Sequence, residues 1–90
     1  MHNKKYILED ITEFNGHNPI YDDIEGCICY LAYLKVGERG WFMWETGDLF
    51  DIPHRIHTSE IKDVEYTDER VIVTTRNTKL TFKEAGVNAD

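Results

Sequence analysis

Residues 27–46 read CICYLAYLKVGERGWFMWET, and this stretch decides the fold. From Cys27 to Val36 the side chains alternate. Ile28, Tyr30, Ala32, Leu34 and Val36 share one face of a strand, and Cys27, Cys29, Leu31, Tyr33 and Lys35 share the other. Both faces are largely apolar, which predicts a central strand covered on both sides. The segment Val36–Gly40 carries two glycines and predicts a tight turn. Trp41–Thr46 then returns antiparallel, with Trp41 and Met43 facing away from Phe42 and Trp44.

Downstream, the same reading gives four short β segments, centred on HRIHT (54–58), KDVEY (62–66), VIVTT (71–75) and LTF (80–82). Polar turns separate the last three, and Asn77 suits a turn position of positive φ. The chain beyond Phe82 reads as a loose end, with residues 84–90 as a frayed tail. Upstream, residues 4–14 fit either a helix or a strand: Ile7, Leu8, Ile11 and Phe14 have helical spacing, whereas Lys5–Glu9 suits a strand. The balance favours a strand running into an irregular segment. Asn15-Gly16 and Asn18-Pro19 are strong breakers, so residues 15–26 read as a long loop. The sum is a mainly β single domain over residues 1–90. Its architecture is a small antiparallel barrel or roll of about six or seven short strands with at most one short helix, because closure protects the edges of such sheets.

Ninety residues that are 41% hydrophobic and 12% aromatic can form one core without staples. The longest apolar run, Cys27–Leu34, spans eight residues, far short of the ~20 that a membrane-crossing helix needs. Residues 1–14 show no apolar stretch with a small-residue cleavage site, so no signal peptide is expected there. Cys27 and Cys29, one residue apart, could close only a strained ring. They are therefore expected to be free thiols in a reducing cytoplasm.

The charge is uneven. Residues 9–51 hold ten acids against two bases, a balance of −8, while residues 55–83 hold five acids and six bases, a balance of +1. An acidic front half repels phosphate backbones, which excludes direct nucleic-acid binding by that surface. It keeps a small protein soluble, and it also attracts basic protein partners.

Two soft-ligand pairs raise the question of zinc: Cys27-x-Cys29 and His54-x-x-His57. Thiolates at ~2.3 Å from a tetrahedral zinc lie roughly 3.7 Å apart, but residues i and i+2 of a regular strand are separated by about 6.8 Å. A bulge after Gly26 would be needed to bring the cysteines together. His54 and His57, three apart, fall on opposite faces of a strand. A mixed site of Cys27, Cys29, one histidine and a carboxylate or His17 remains the metal alternative; small buried cysteines are the other.

Catalytic signatures are missing. VGERG lacks the spacing of a phosphate loop, and Ser59, the only serine, lies in no nucleophile elbow. A cysteine inside the most apolar strand has a raised thiol pKa and is a poor nucleophile. Asp22-Asp23 with Glu25 lacks the ligand order of a calcium loop. The expectation is a protein that is not an enzyme.

Aromatic residues are the stronger clue, since eight of the eleven fall between Tyr21 and Tyr66. Some of Tyr33, Trp41 and Trp44 are expected to reach the surface, where aromatic side chains anchor protein contacts. With Asp22, Asp23, Glu25, Glu45, Asp48 and Asp51 they make a candidate face for a basic partner.

The C-terminal third, RIHTSEIKDVEYTDERVIVTTRNTKLTF (55–82), resembles the ending of small β-rich accessory proteins of phages and mobile elements of Gram-positive bacteria. The features that carry the resemblance are a Thr58-Ser59 turn, an apolar strand through Ile61 and Val64, a charged turn, and Thr75, Asn77 and Thr78 before an apolar-aromatic finish. The resemblance implies a mobile-element origin and a role of the anti-CRISPR kind, blocking a host defence nuclease by occupying its basic groove. Two other readings stand beside it: a zinc-stabilised structural β domain, and a barrel that binds a small ligand at its open end.

Overall fold

The computed structural model describes residues 4–44 and 54–85. They form six antiparallel strands, β1 (Tyr6–Glu13), β2 (Ile28–Tyr33), β3 (Arg39–Trp44), β4 (His54–Tyr66), β5 (Arg70–Thr75) and β6 (Thr78–Glu84), and one helix, α1 (Ile20–Ile24). Each strand pairs with its neighbours in sequence, and β6 pairs with β1, so the sheet closes into a barrel. The mainly β barrel with one short helix is the architecture expected from the alternation. Among the described residues, no helix is long and apolar enough to cross a membrane.

Inward positions follow the strand period of two. Val71, Val73 and Thr75 of β5, Leu80 and Phe82 of β6, Phe42 and Trp44 of β3, and Leu8 and Cys29 fill the interior. The rings of Phe42 and Phe82 meet edge to face, 5.1 Å between centroids at 74°. β3 and β6 stand opposite each other in the ring of strands, so this contact spans the barrel.

Several expectations are corrected. β4 is one strand of 13 residues, where the sequence suggested two short segments. His54–Glu60 pairs with β3 and Ile61–Tyr66 with β5, and the register shifts between Ile61 and Asp63. That bulge bends the strand so that it serves both neighbours. Thr58-Ser59 therefore lies within β4 and forms no turn. Gly37, at φ 94°, makes the turn after β2, but Gly40 sits inside β3 at a register shift. A Cβ on Gly40 would lie 2.6 Å from the Tyr33 carbonyl oxygen and 2.6 Å from Ile61 Cδ1. Gly40 is thus required by close approach, as glycine at a bulge often is.

β2 is covered on one side only: Cys29 is fully buried, while Ala32 and Tyr33 are exposed. Lys83 and Glu84 belong to β6, and Ala85 N donates to Lys5 O, so the expected tail begins later than residue 84. Residues 86–90 lie outside the described residues.

Residues 14–27 hold more than a loop. β1 and β2 pair only at Tyr6↔Cys29 and Ile7↔Ile28, so most of that seam is left without a strand-to-strand ladder. The connecting segment runs back beside β1 and covers it. It is tied to Glu13 at one end through His17 and to Leu8 at the other, where Gly26 N donates to Leu8 O at 2.8 Å. Between these ties α1 puts Tyr21 and Ile24, three residues apart, into the core. That spacing is the helical signal a loop reading overlooks.

Candidate functional site

The α1 segment beside β1 collects six carboxylates from the front half of the chain: Glu9, Asp10 and Glu13 on β1, and Asp22, Asp23 and Glu25 on or next to α1. Three of them are engaged. Arg70 Nε donates to Glu9 Oε2 at 2.6 Å, and His17 bridges Glu13 Oε1 (2.7 Å) and Asp22 Oδ2 (3.0 Å). Asp10, Asp23 and Glu25 are exposed and have no ion-pair partner among the described residues. Burial of Tyr21 and Ile24 holds their segment against the barrel. The flank is therefore acidic and presented on an ordered surface.

The His17 bridge is a pH-sensitive tie. Hydrogen bonding to Asp22, then to Glu13, and the charge of both carboxylates raise its imidazole above the usual histidine value. Both ring nitrogens face carboxylates, so the doubly protonated ring donates at each end. A pKa raised by folding gives stability that is fully present below the unfolded value of about 6.5 and lost as pH rises through the higher folded value. The urea midpoint should therefore fall between about pH 6 and pH 8.5, and His17→Gln should flatten that fall. Proton NMR titration of the ring checks the same shift directly.

The other predicted contact residues are dispersed. Trp44 is in the core, 9% exposed, which removes it from any surface patch. Glu45, Asp48 and Asp51 lie outside the described residues. Tyr33, 38% exposed, donates from its hydroxyl to Glu38 Oε1 at 2.7 Å. Trp41, its neighbour in register, is half-buried on the outer side of β3. A cation flanks Trp41 where an acidic rim was expected: the Arg55 guanidinium lies 4.6 Å above its ring, and the exposed His57 ring is tilted against it at 6.2 Å. The aromatic ladder and the acidic flank are thus separate features.

The four proposed metal ligands are spread over two strands and a loop end. Cys27 Sγ donates to Asp23 O, and buried Cys29 Sγ donates to Cys27 O. Burial pushes the Cys29 thiol up to about 12 and raises that of Cys27. His57 faces outward against Trp41 on β4. His54 opens β4, two strands away from Cys29 through Trp44, and its side chain lies outside those described. Among the described residues, no group of three or more His, Cys, Asp or Glu is placed to hold a metal ion.

A cleft of about 770 Å³ opens at one end of the barrel. Five segments line it: the Glu13–Asn18 loop, α1 through Tyr21, β3 through Arg39, the His57–Glu60 stretch of β4, and the β5–β6 turn at residues 76–78. Its floor is a hydroxyl network. Thr75 Oγ1 accepts from Ser59 Oγ (2.9 Å) and from Thr78 N (3.0 Å), and lies 2.8 Å from Thr78 Oγ1. Thr58 Oγ1 accepts from Gly40 N at 3.0 Å. Thr58, Ser59, Thr75, Asn77 and Thr78, which carry the sequence resemblance, thus meet at one place. The sequence treated them as turn punctuation. The signal for their shared role is the phase of β5 and β6, where hydroxyls replace aliphatics at the inward positions nearest the turn.

No protein-family model matches this chain, and comparison with curated proteins and with solved structures finds no match.

Proposed function

We propose that the chain is a non-enzymatic protein-binding module whose acidic flank docks on a basic, nucleic-acid-handling partner. The reading fits a mobile-element inhibitor of a host defence nuclease, the role implied by the resemblance of residues 55–82. The observation that carries it is the set Asp10, Asp23 and Glu25: exposed, without cationic partners among the described residues, and held on two segments tied side by side. Unpaired carboxylates on a rigid support attract a cationic groove without first breaking an internal ion pair.

A Cas9-type effector is a suitable first partner, because it holds its guide–target duplex in a positively charged channel. Binding is measured at low and high salt, together with inhibition of DNA cleavage. The triple variant Asp10→Asn, Asp23→Asn, Glu25→Gln is expected to slow association about tenfold or more, and salt is expected to weaken the unaltered protein. Binding that ignores both changes would remove the acidic flank from the contact.

A further inference from the structure

The cleft at the barrel end differs in charge from the rest of this acidic protein. Arg39 and Arg76 line it, together with His17 and His57. Two carboxylates, Glu13 and Glu60, also line it, but both are engaged. Glu13 accepts from Asn18 N at 2.7 Å and meets His17, and Glu60 meets Lys62 Nζ at 3.3 Å.

The cations have donors to spare. Arg39 uses only Nε, donating to Thr58 O at 3.0 Å, and its terminal nitrogens have no hydrogen-bond partner among the described residues. The Arg76 guanidinium has neither a hydrogen bond nor an ion pair among them. Asn77 accepts through Oδ1 from Asn15 Nδ2, which turns its own amide nitrogen free for another acceptor. Unused hydrogen-bonding capacity in the cleft is therefore mostly donor, and its unneutralised charge is positive.

We infer that this cleft is a binding site for a small phosphate-bearing ligand, held by the guanidinium groups of Arg39 and Arg76. Arg39 on β3 pairs in register with Glu60 of β4, and Arg76 N on the β5–β6 turn donates to Glu60 O, so the two planar forks flank the same point of β4 and match the oxygens of a phosphomonoester. A bare phosphate would leave most of the volume empty. About 770 Å³ lies within the range of about 300–1,000 Å³ usual for small-molecule pockets. Much of the remaining lining is polar, and the Asn77 side-chain amide nitrogen is available to a hydroxylated body such as a ribose. The site draws on none of the three unpaired carboxylates of the acidic flank, so it stands or falls apart from the protein-docking proposal.

The test uses the whole chain and three probes: inorganic phosphate, adenosine 5′-monophosphate and adenosine. Amide chemical-shift titration reports both affinity and location. The monophosphate is expected to bind with shifts concentrated at Arg39, Ser59 and Arg76–Thr78, phosphate to bind more weakly at the same place, and adenosine not to bind. Arg76→Gln and Arg39→Gln should each weaken the monophosphate about tenfold, and Arg76→Lys should restore part of that loss. Arg76 is exposed and unpaired, so its variants keep the unaltered melting temperature and an effect on folding is separable. No binding of either phosphate up to about 10 mM, equal binding of adenosine, or affinities unchanged in both glutamine variants would each overturn the assignment.

Discussion

Phe42→Ala is expected to remove about 3–5 kcal/mol from the stability of the folded protein, the range for deleting a buried phenyl ring. The ring is fully buried on β3 and packs edge to face on Phe82 of β6. Most core contacts of a barrel join adjacent strands, which the sheet ladder already holds together. This one joins strands on opposite sides, so it fixes the barrel's diameter as well as its hydrophobic content. Aromatic pairs add about 0.5–1.5 kcal/mol beyond area burial, which Phe42→Leu would lose while keeping most of the volume. A domain of this length has a total stability of about 5–13 kcal/mol. The alanine variant should therefore melt on the order of 15–30 °C lower, and the leucine variant only several degrees lower. Urea denaturation followed by the fluorescence of Trp41 and Trp44 measures both. A loss near 1 kcal/mol for the alanine variant would mean that the core does not close across Phe42.

The period-two pattern made the fold class legible because inward and outward positions differ in polarity along β6, while short apolar runs bounded by polar turns mark β3 and β5. It failed where polarity was a poor guide. Ser59 and Glu60 look like a break between two segments, yet they continue β4 because the backbone ladder passes from β3 to β5 across a bulge. Bulges have no strong signature: Ile61–Asp63 reads like any strand. In β2, apolar residues on both faces suggested double coverage, but the barrel has one inside, and Tyr30, Ala32 and Tyr33 are left on or near its outer surface. The helix was easily overlooked because, after Asn18-Pro19, its one signal is the three-residue spacing of Tyr21 and Ile24 within five residues.

The sites were less legible still. The acidic flank could be foreseen from charge counts, since its residues are close in sequence and α1 returns alongside β1. Its neutralisation by Arg70 and His17 could not, because those pairings depend on register and on the path of the loop. The cleft draws Arg39, His57, Arg76 and His17 from four separate segments, each an ordinary surface residue in its own stretch. Only closure of the barrel brings them to one end. Long-range assembly, invisible to local pattern, accounts for that difference.

Gly40→Val is expected to be the second severe lesion, and it tests the close approach that a turn reading of Gly40 misses. Backbone conformation alone would tolerate a substitution here, since positive φ is found at Gly16, Gly26 and Gly37 and not at Gly40. The obstacle is space. A single Cβ already meets the Tyr33 carbonyl oxygen and Ile61 Cδ1 at 2.6 Å, and valine adds two methyl groups. The Ile61 side chain can rotate away only within a packed core. The Tyr33 carbonyl belongs to the β2 backbone and moves only if the β2–β3 pairing opens. Relief would also disturb the bond from Gly40 N to Thr58 Oγ1 and with it the cleft floor. Overpacking costs typically 1–3 kcal/mol and sometimes more; a contact against backbone places valine at about 3 kcal/mol or above, with alanine nearer the lower end. The gradation from glycine to alanine to valine is the diagnostic result. If Gly40 were merely a turn glycine, Gly40→Ala and Gly40→Val would cost similar, small amounts, and the amide of residue 40 would exchange quickly with solvent. A hydrogen bond to a buried threonine hydroxyl predicts slow exchange at that amide in the unaltered protein, and faster exchange at residues 40 and 58–61 in the alanine variant.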